Sequence, residues 1–195
     1  MSSRLLDMTE DEARERILSA AEELYYRKGY AAVGMDELRS AAGVSLRRLY
    51  SLFPAKTDIV AAVLTRKHAE WEQGLTAAVA QSGDDPRARL LAVYGYLEDW
   101  FCSDGFRGCA FINAFGELGG TSPEVAGIVR AHKASFQQYM AELVAATGAP
   151  VGLAAQLSLL AEGAQSTAAI GADPEAAVHA RRAAEVLIDA ALAPA

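Results

Sequence analysis

From Gly29 to Phe53 the chain reads GYAAVGMDELRSAAGVSLRRLYSLF. Helical spacing predicts a short helix from Met35 to Ala42, stopped by Gly43, a residue type that takes the left-handed conformation closing many helices. Ser45 is placed to cap a second helix, Leu46 to about Leu52, and Pro54 prevents its continuation. Leu38, Ala41, Val44, Leu49 and Phe53 supply a small shared core. Two short helices meeting at a glycine-containing turn make a helix-turn-helix, whose second helix enters a DNA major groove.

Geometry assigns the faces of that second helix. At about 100° per residue, with Leu49 pointing inward, Arg47 and Ser51 point most directly outward. Arg48 and Tyr50 fall on the flanks, where backbone phosphates would lie. Arginine suits guanine because its planar fork bonds O6 and N7 together. A helical hairpin carrying solvated arginines is the plainer reading of the same residues.

The stretch resembles the TetR family of bacterial transcriptional regulators. The resemblance lies in Gly29-Tyr30, in Asp36-Glu37-Leu38, and above all in Ala42-Gly43-Val44-Ser45 followed by Leu49-Tyr50, Phe53 and Lys56. It covers about residues 10–66. It implies that Tyr50 contacts a phosphate and that Lys56, at the amino end of a fourth helix, grips the DNA backbone, in line with the attraction of helix amino ends for anions. Val33 and Gly34 stand where the family commonly has Thr or Ser, although glycine remains an acceptable cap. Arg47 and Arg48 stand where it often has Gly-Thr, so a base preference does not carry over. The expected DNA-binding set is Gly34, Arg39, Ser45, Leu46, Arg47, Arg48, Tyr50, Ser51 and Lys56.

Outward from this module the remaining elements also read as helices. Thr9 with Glu12 forms a capping box, and Ala13, Ile17, Ala20, Ala21, Leu24 and Tyr25 follow at helical spacing up to Gly29. After Pro54 one long amphipathic helix carries Ile59, Val60, Val63, Leu64, Trp71, Leu75, Ala78 and Val79 to about Ser82-Gly83. Asp85-Pro86, Ser122-Pro123 and Asp173-Pro174 each set a capping side chain before a proline, a helix-start signature. A short helix at about 109–118 and another from about Pro150 bring the expected total to nine, with no sustained strand alternation. The expected fold is all-α: an N-terminal three-helix module, residues 1–54, and a C-terminal helical domain, 55–195, for ligand binding and dimerisation, as the resemblance implies.

Composition limits the alternatives. Of 195 residues, 52% are hydrophobic, enough for a sizeable core, yet no apolar run reaches membrane-spanning length. The opening residues carry no apolar core of a signal peptide, and two cysteines, Cys102 and Cys109, make no disulfide framework. Together these predict a cytoplasmic protein. The net charge of −7 argues against DNA until its distribution is read. Residues 1–66 hold equal numbers of acids and bases, and Arg39 to Lys67 holds six bases against Asp58 alone. His68, His132 and His179 have no metal-ligand spacing, and neither a phosphate loop nor a nucleophile motif is present, which speaks against an enzyme or a cofactor.

Ten of the fifteen aromatic residues lie beyond residue 66. Trp71, Trp100, Phe101, Phe111, Phe115, Phe136 and Tyr139, with Cys109, Asn113, Met140 and Gln165, form the expected lining of an apolar effector pocket, although aromatic stripes on helices are more often core. The segment Arg107 to Glu117 resembles one that, in part of the family, links pocket and DNA-binding half. The last two helices are rich in Ala, Ser and Gly beside Leu157, Leu159, Ile170 and Val186, which suits a two-fold dimer interface, with Ala168 and Ala169 expected on it. The function that follows is a homodimeric repressor of double-stranded operator DNA, released by a small apolar molecule. The alternative is a redox-controlled or constitutive regulator, with Cys102 and Cys109 as the thiols in question.

Overall fold

Thr9 starts the first helix as its sequence predicts: its hydroxyl accepts from the Glu12 amide, and the Glu12 carboxylate accepts from the Thr9 amide at 2.9 Å. The computed structural model describes residues 8–193, and among these the elements are nine helices. They are α1 (Glu10–Lys28), α2 (Met35–Ala42), α3 (Leu46–Leu52), α4 (Lys56–Gln81), α5 (Pro86–Phe101), α6 (Ala110–Leu118), α7 (Pro123–Thr147), α8 (Gly152–Gly171) and α9 (Glu175–Leu192). Asp85 caps α5 by accepting from Arg87 and Ala88, with Pro86 in the first turn. Ser122 caps α7 through the Val125 amide at 3.3 Å.

Two starts differ from expectation. The first turn of α9 winds tightly, with Ala176 and Ala177 bonding three residues back, so the regular helix begins at Glu175 and Asp173 accepts from its amide at 3.0 Å. Likewise Leu153 bonds back to Pro150, and α8 becomes regular only at Gly152.

The chain divides into two units. The first contains the described residues up to His68 and Ala110–Arg130. Its core takes Ala13, Ile17, Ala21, Leu24 and Tyr25 from α1, with Leu38, Leu49, Ile59 and Val60. Arg66 bridges Glu15 at 2.9 Å and Glu22 at 2.5 Å, and Lys67 also meets Glu22, which ties α1 to α4. One expected core residue is corrected: Ala41 is exposed and Ala42 is buried. Ala42 lies four residues from Leu38 and so shares its face.

The second unit contains Ala69–Cys109 and the described residues from Ala131 onward. Leu90, Val93, Tyr94 and Leu97 of α5 pack with Phe136 and Met140 of α7, Leu157 and Ala161 of α8, and Ala177, Ala184 and Ile188 of α9. The Tyr94 hydroxyl donates to the Leu157 carbonyl at 2.8 Å, and its burial raises the phenol's pKa well above the ordinary value. Arg87 grips Asp189 through two bonds, at 2.8 and 3.1 Å, joining the ends of α5 and α9; this bond holds the carboxyl below and the guanidinium above their ordinary pKa values.

A second correction concerns Ala168. It is buried in this unit's own core, because eleven residues carry the face of Leu157 round three full turns to it. Ala169 is half-buried against Gly108. The outward face of α8 carries Leu159 and Ile170 instead, 73% and 88% exposed, and α9 exposes Val186.

Candidate nucleic-acid interface

Gly43 is where the motif turns. It adopts the left-handed conformation, φ 65° and ψ 34°, and its successor Val44 donates to the Arg39 carbonyl at 3.0 Å, closing α2. A β-carbon is disfavoured at that φ, so glycine suits the position. Ser45 follows in extended conformation, and its hydroxyl accepts from the Arg48 amide at 3.1 Å, which starts α3.

Within α3 only Leu49 is buried. Leu46, Arg47, Tyr50 and Ser51 are exposed, so four of the expected residues share one open face. The Ser51 hydroxyl bonds back to the Arg48 carbonyl at 2.8 Å. Arg48 is half-buried and donates to the Met8 carbonyl at 3.2 Å, so its guanidinium is committed in part to the chain entering α1. Arg39 pairs with Asp36 of its own helix at 2.8 Å. Gly34 caps α2 without a side-chain bond, and a β-carbon there would meet nothing within 4 Å. Glycine thus serves as the cap without a hydroxyl, and the backbone would accommodate a side chain there.

Lys56 begins α4, whose first turn is capped by the Asp58 carboxylate accepting from the Ala55 amide at 2.8 Å. Its ammonium donates to the Ala31 carbonyl at 3.1 Å. Partial burial lowers its pKa, and the nearby Glu117 carboxylate acts in the opposite direction. Glu117 was expected only as the end of a linking segment. It sits on α6 and accepts from the Ala31 amide at 2.7 Å, a pairing across 86 residues that no local pattern could announce. Its one sequence trace is Gly29, where φ is 91° and a β-carbon would lie 3.0 Å from either carboxylate oxygen.

The expected effector residues are distributed over both units. Phe111, Asn113 and Phe115 lie on α6 in the first: Phe111 is buried, Asn113 half-buried, and Phe115 exposed beside the Arg130 guanidinium, 5.9 Å from its ring centre. In the second unit Phe101, Phe136, Met140, Cys109 and Gln165 are buried. Trp100 meets Phe106 edge-on at 5.2 Å. Trp71 and Tyr139 border an open cleft of about 270 Å³ with Glu72, Leu75, Thr76, Ser135, Gln138 and Glu142. Trp71 there meets Phe136 and His132 edge-on, each at 5.2 Å. Cys102 is exposed; Cys109 accepts from the Lys133 ammonium at 3.5 Å, and that ammonium pairs with Glu162 at 2.6 Å. Among the described residues there is no cluster of three metal-ligating side chains, and no helix is long and apolar enough to cross a membrane.

Residues 17–63 match the family model described as bacterial regulatory proteins, tetR family. The solved structure of a TetR-family transcriptional regulator from Streptomyces coelicolor superposes with a TM-score of 0.87 at 30% identity, over 94% of this chain and 97% of that one. The chain belongs to the TetR family of transcriptional regulators. This family is a DNA-binding one without enzymatic activity, and the nine-helix, all-helical fold is its fold. Among its curated members, the repressor NemR of Escherichia coli is 31% identical over 56% of this chain and 56% of its own length. The activator FasR of Mycolicibacterium smegmatis is 35% identical over 62% of this chain and 53% of its own. The chain thus spans little more than half the length of these curated TetR-family relatives in alignment, and they include both signs of regulation.

Proposed function

We propose that the protein is a homodimeric, cytoplasmic repressor that reads operator DNA through α3 and leaves it when a small, mostly apolar molecule binds the second unit. In this reading residues 1–54 carry DNA recognition and residues 55–195 carry effector binding and dimerisation. The observation that supports it most is the exposed Arg47 on a helix anchored by the buried Leu49: a planar donor fork held outward where a base edge would lie. Tyr50 and Lys56 then serve as backbone contacts, which position the helix without reading sequence. Arg47→Ala is expected to weaken operator binding by about 1–3 kcal/mol per half-site and relax preference at one base pair. Tyr50→Phe and Lys56→Ala weaken binding to all sequences alike. Quantitative binding to a randomised operator library separates the two behaviours, and an Arg47→Ala protein with the wild-type sequence profile would remove Arg47 from the groove.

The effector half of the proposal is supported by the cleft beside Trp71 and Tyr139, whose Trp71 meets the rings of Phe136 and Tyr96 edge-on. α4 runs unbroken from Lys56 to Gln81, so one helix bears both a DNA contact and the cleft's tryptophan. A ligand that favours another tilt of α4 changes the spacing of the two recognition helices in a dimer. Coupling of about 1–3 kcal/mol gives a switch of about 5- to 150-fold, and linkage requires DNA to weaken the ligand by the same factor. The expected result is quenching or shift of Trp71 fluorescence by an aromatic hydrophobe that also releases operator. A compound that perturbs Trp71 and leaves operator affinity unchanged would separate the cleft from control.

A further inference from the structure

α6 is fastened at both ends to the turn that leads into α2. At its start the Ala110 carbonyl accepts from the Tyr30 hydroxyl at 3.3 Å, and Tyr30 is itself buried and stacked on Tyr25 at 5.0 Å. At its end Glu117 accepts from the Ala31 amide at 2.7 Å and lies against the bare α-carbon of Gly29. Ala31 then passes the connection on, because its carbonyl receives the Lys56 ammonium at 3.1 Å. Glu117, the Ala31 backbone and Lys56 form one chain from α6 to the first residue of α4.

We infer that Glu117 is a positioning residue for DNA binding, holding Lys56, through the Ala31 backbone, in the arrangement that meets the phosphate backbone. The inference rests on the reading of Lys56 as a backbone contact. Lysine carries a long, mobile stem and three donors on one nitrogen. With one donor on Ala31 and the Glu117 carboxylate nearby, the ammonium is ordered before DNA arrives, and the entropy of ordering it is not charged to binding. The same bond ties the turn before α2 to α6, where Gly34 offers no side-chain cap. The turn is fixed from α6.

The test compares operator affinity and its salt dependence in Glu117→Ala, Glu117→Gln, Lys56→Ala and the double variant Glu117→Ala/Lys56→Ala of the full chain. Glu117→Ala is expected to weaken binding about ten-fold, and to lower the slope of log affinity against log salt by about 0.9 for each phosphate Lys56 no longer holds. Glu117→Gln keeps an acceptor for the Ala31 amide and recovers most of the loss. In the Lys56→Ala background, removal of Glu117 costs at most about two-fold, because the two act in series. A wild-type affinity and slope for Glu117→Ala, or a loss just as large without Lys56, overturns the inference. Wild-type affinity and slope for Lys56→Ala overturns instead the reading of Lys56 as a phosphate contact. If Glu117→Ala fails to fold, Glu117→Gln decides: a protein with the wild-type melting temperature and the full loss of binding also overturns it.

Discussion

A Leu159→Glu/Ile170→Glu protein is expected to sediment as a monomer and to bind its operator at least about a hundredfold more weakly than wild type. Leu159 and Ile170 are eleven residues apart on α8, which is three turns, so they share a face. Gly163 and Thr167 lie on that face between them, both exposed and small enough to admit a second helix closely. Full burial of a leucine or isoleucine contributes about 1.5–3 kcal/mol, and in a two-fold interface each counts twice. Four carboxylates in the same place would be buried without partners, which reverses the sign of the contribution. Once the dimer is lost, the second half-site no longer binds at the high effective concentration that the first creates, and avidity of about 10²- to 10⁴-fold disappears. The second unit should keep its fold, because both side chains point away from its core. Analytical ultracentrifugation with operator titration checks both parts. A dimeric double variant with intact operator binding would place the interface elsewhere.

The other large effect is Leu49→Ala. Leu49 is the one buried residue of the seven in α3 and is fully enclosed, with α3 packed on α1 and α2. Truncating a buried leucine to alanine costs about 2–5 kcal/mol, from lost burial and from the cavity left behind. A seven-residue helix has no stability of its own to offset that loss. The first unit is expected to melt well below wild type, with operator binding lost in proportion to the unfolded fraction. The contrast with Arg47→Ala is the point: neighbours two residues apart, one acting through folding and one through the groove. Far-UV circular dichroism in urea, run beside DNA binding, resolves them. A Leu49→Ala protein with unchanged midpoint would show that α3 is anchored by something else.

Local signals in the sequence carried far. Thr9 with Glu12, Asp85 with Pro86, and Gly43 with Ser45 each state a helix end in side-chain chemistry that needs no distant partner, and the structure places those ends there. Periodicity identified Leu49 as the inward residue of α3, which leaves Arg47 and Ser51 exposed. It erred between Ala41 and Ala42 because two adjacent alanines give a hydrophobic stripe no sharp edge. Ala168 misled for a related reason: a small residue fits an intramolecular helix contact as well as an intermolecular one. The aromatic set was legible as apolar and helical, but periodicity cannot separate a ring buried in a core, such as Phe136, from one bordering a cleft, such as Tyr139. Glu117 lay beyond reach, since its partner is a backbone amide 86 residues away.

That partner being backbone has a consequence for how the protein tolerates change. The two bonds at residue 31 use atoms that every amino acid except proline possesses, and its side chain is exposed. Position 31 can therefore drift freely while the connection through it stays intact. The restriction is displaced onto sites that look unrelated in sequence. On the inferred role of Glu117, the connection depends on its acceptor, on the Lys56 donor, and on Gly29, whose φ of 91° disfavours a side chain. A residue whose backbone links Glu117 to Lys56 would thus be nearly silent in a mutational scan, with proline as its single forbidden letter.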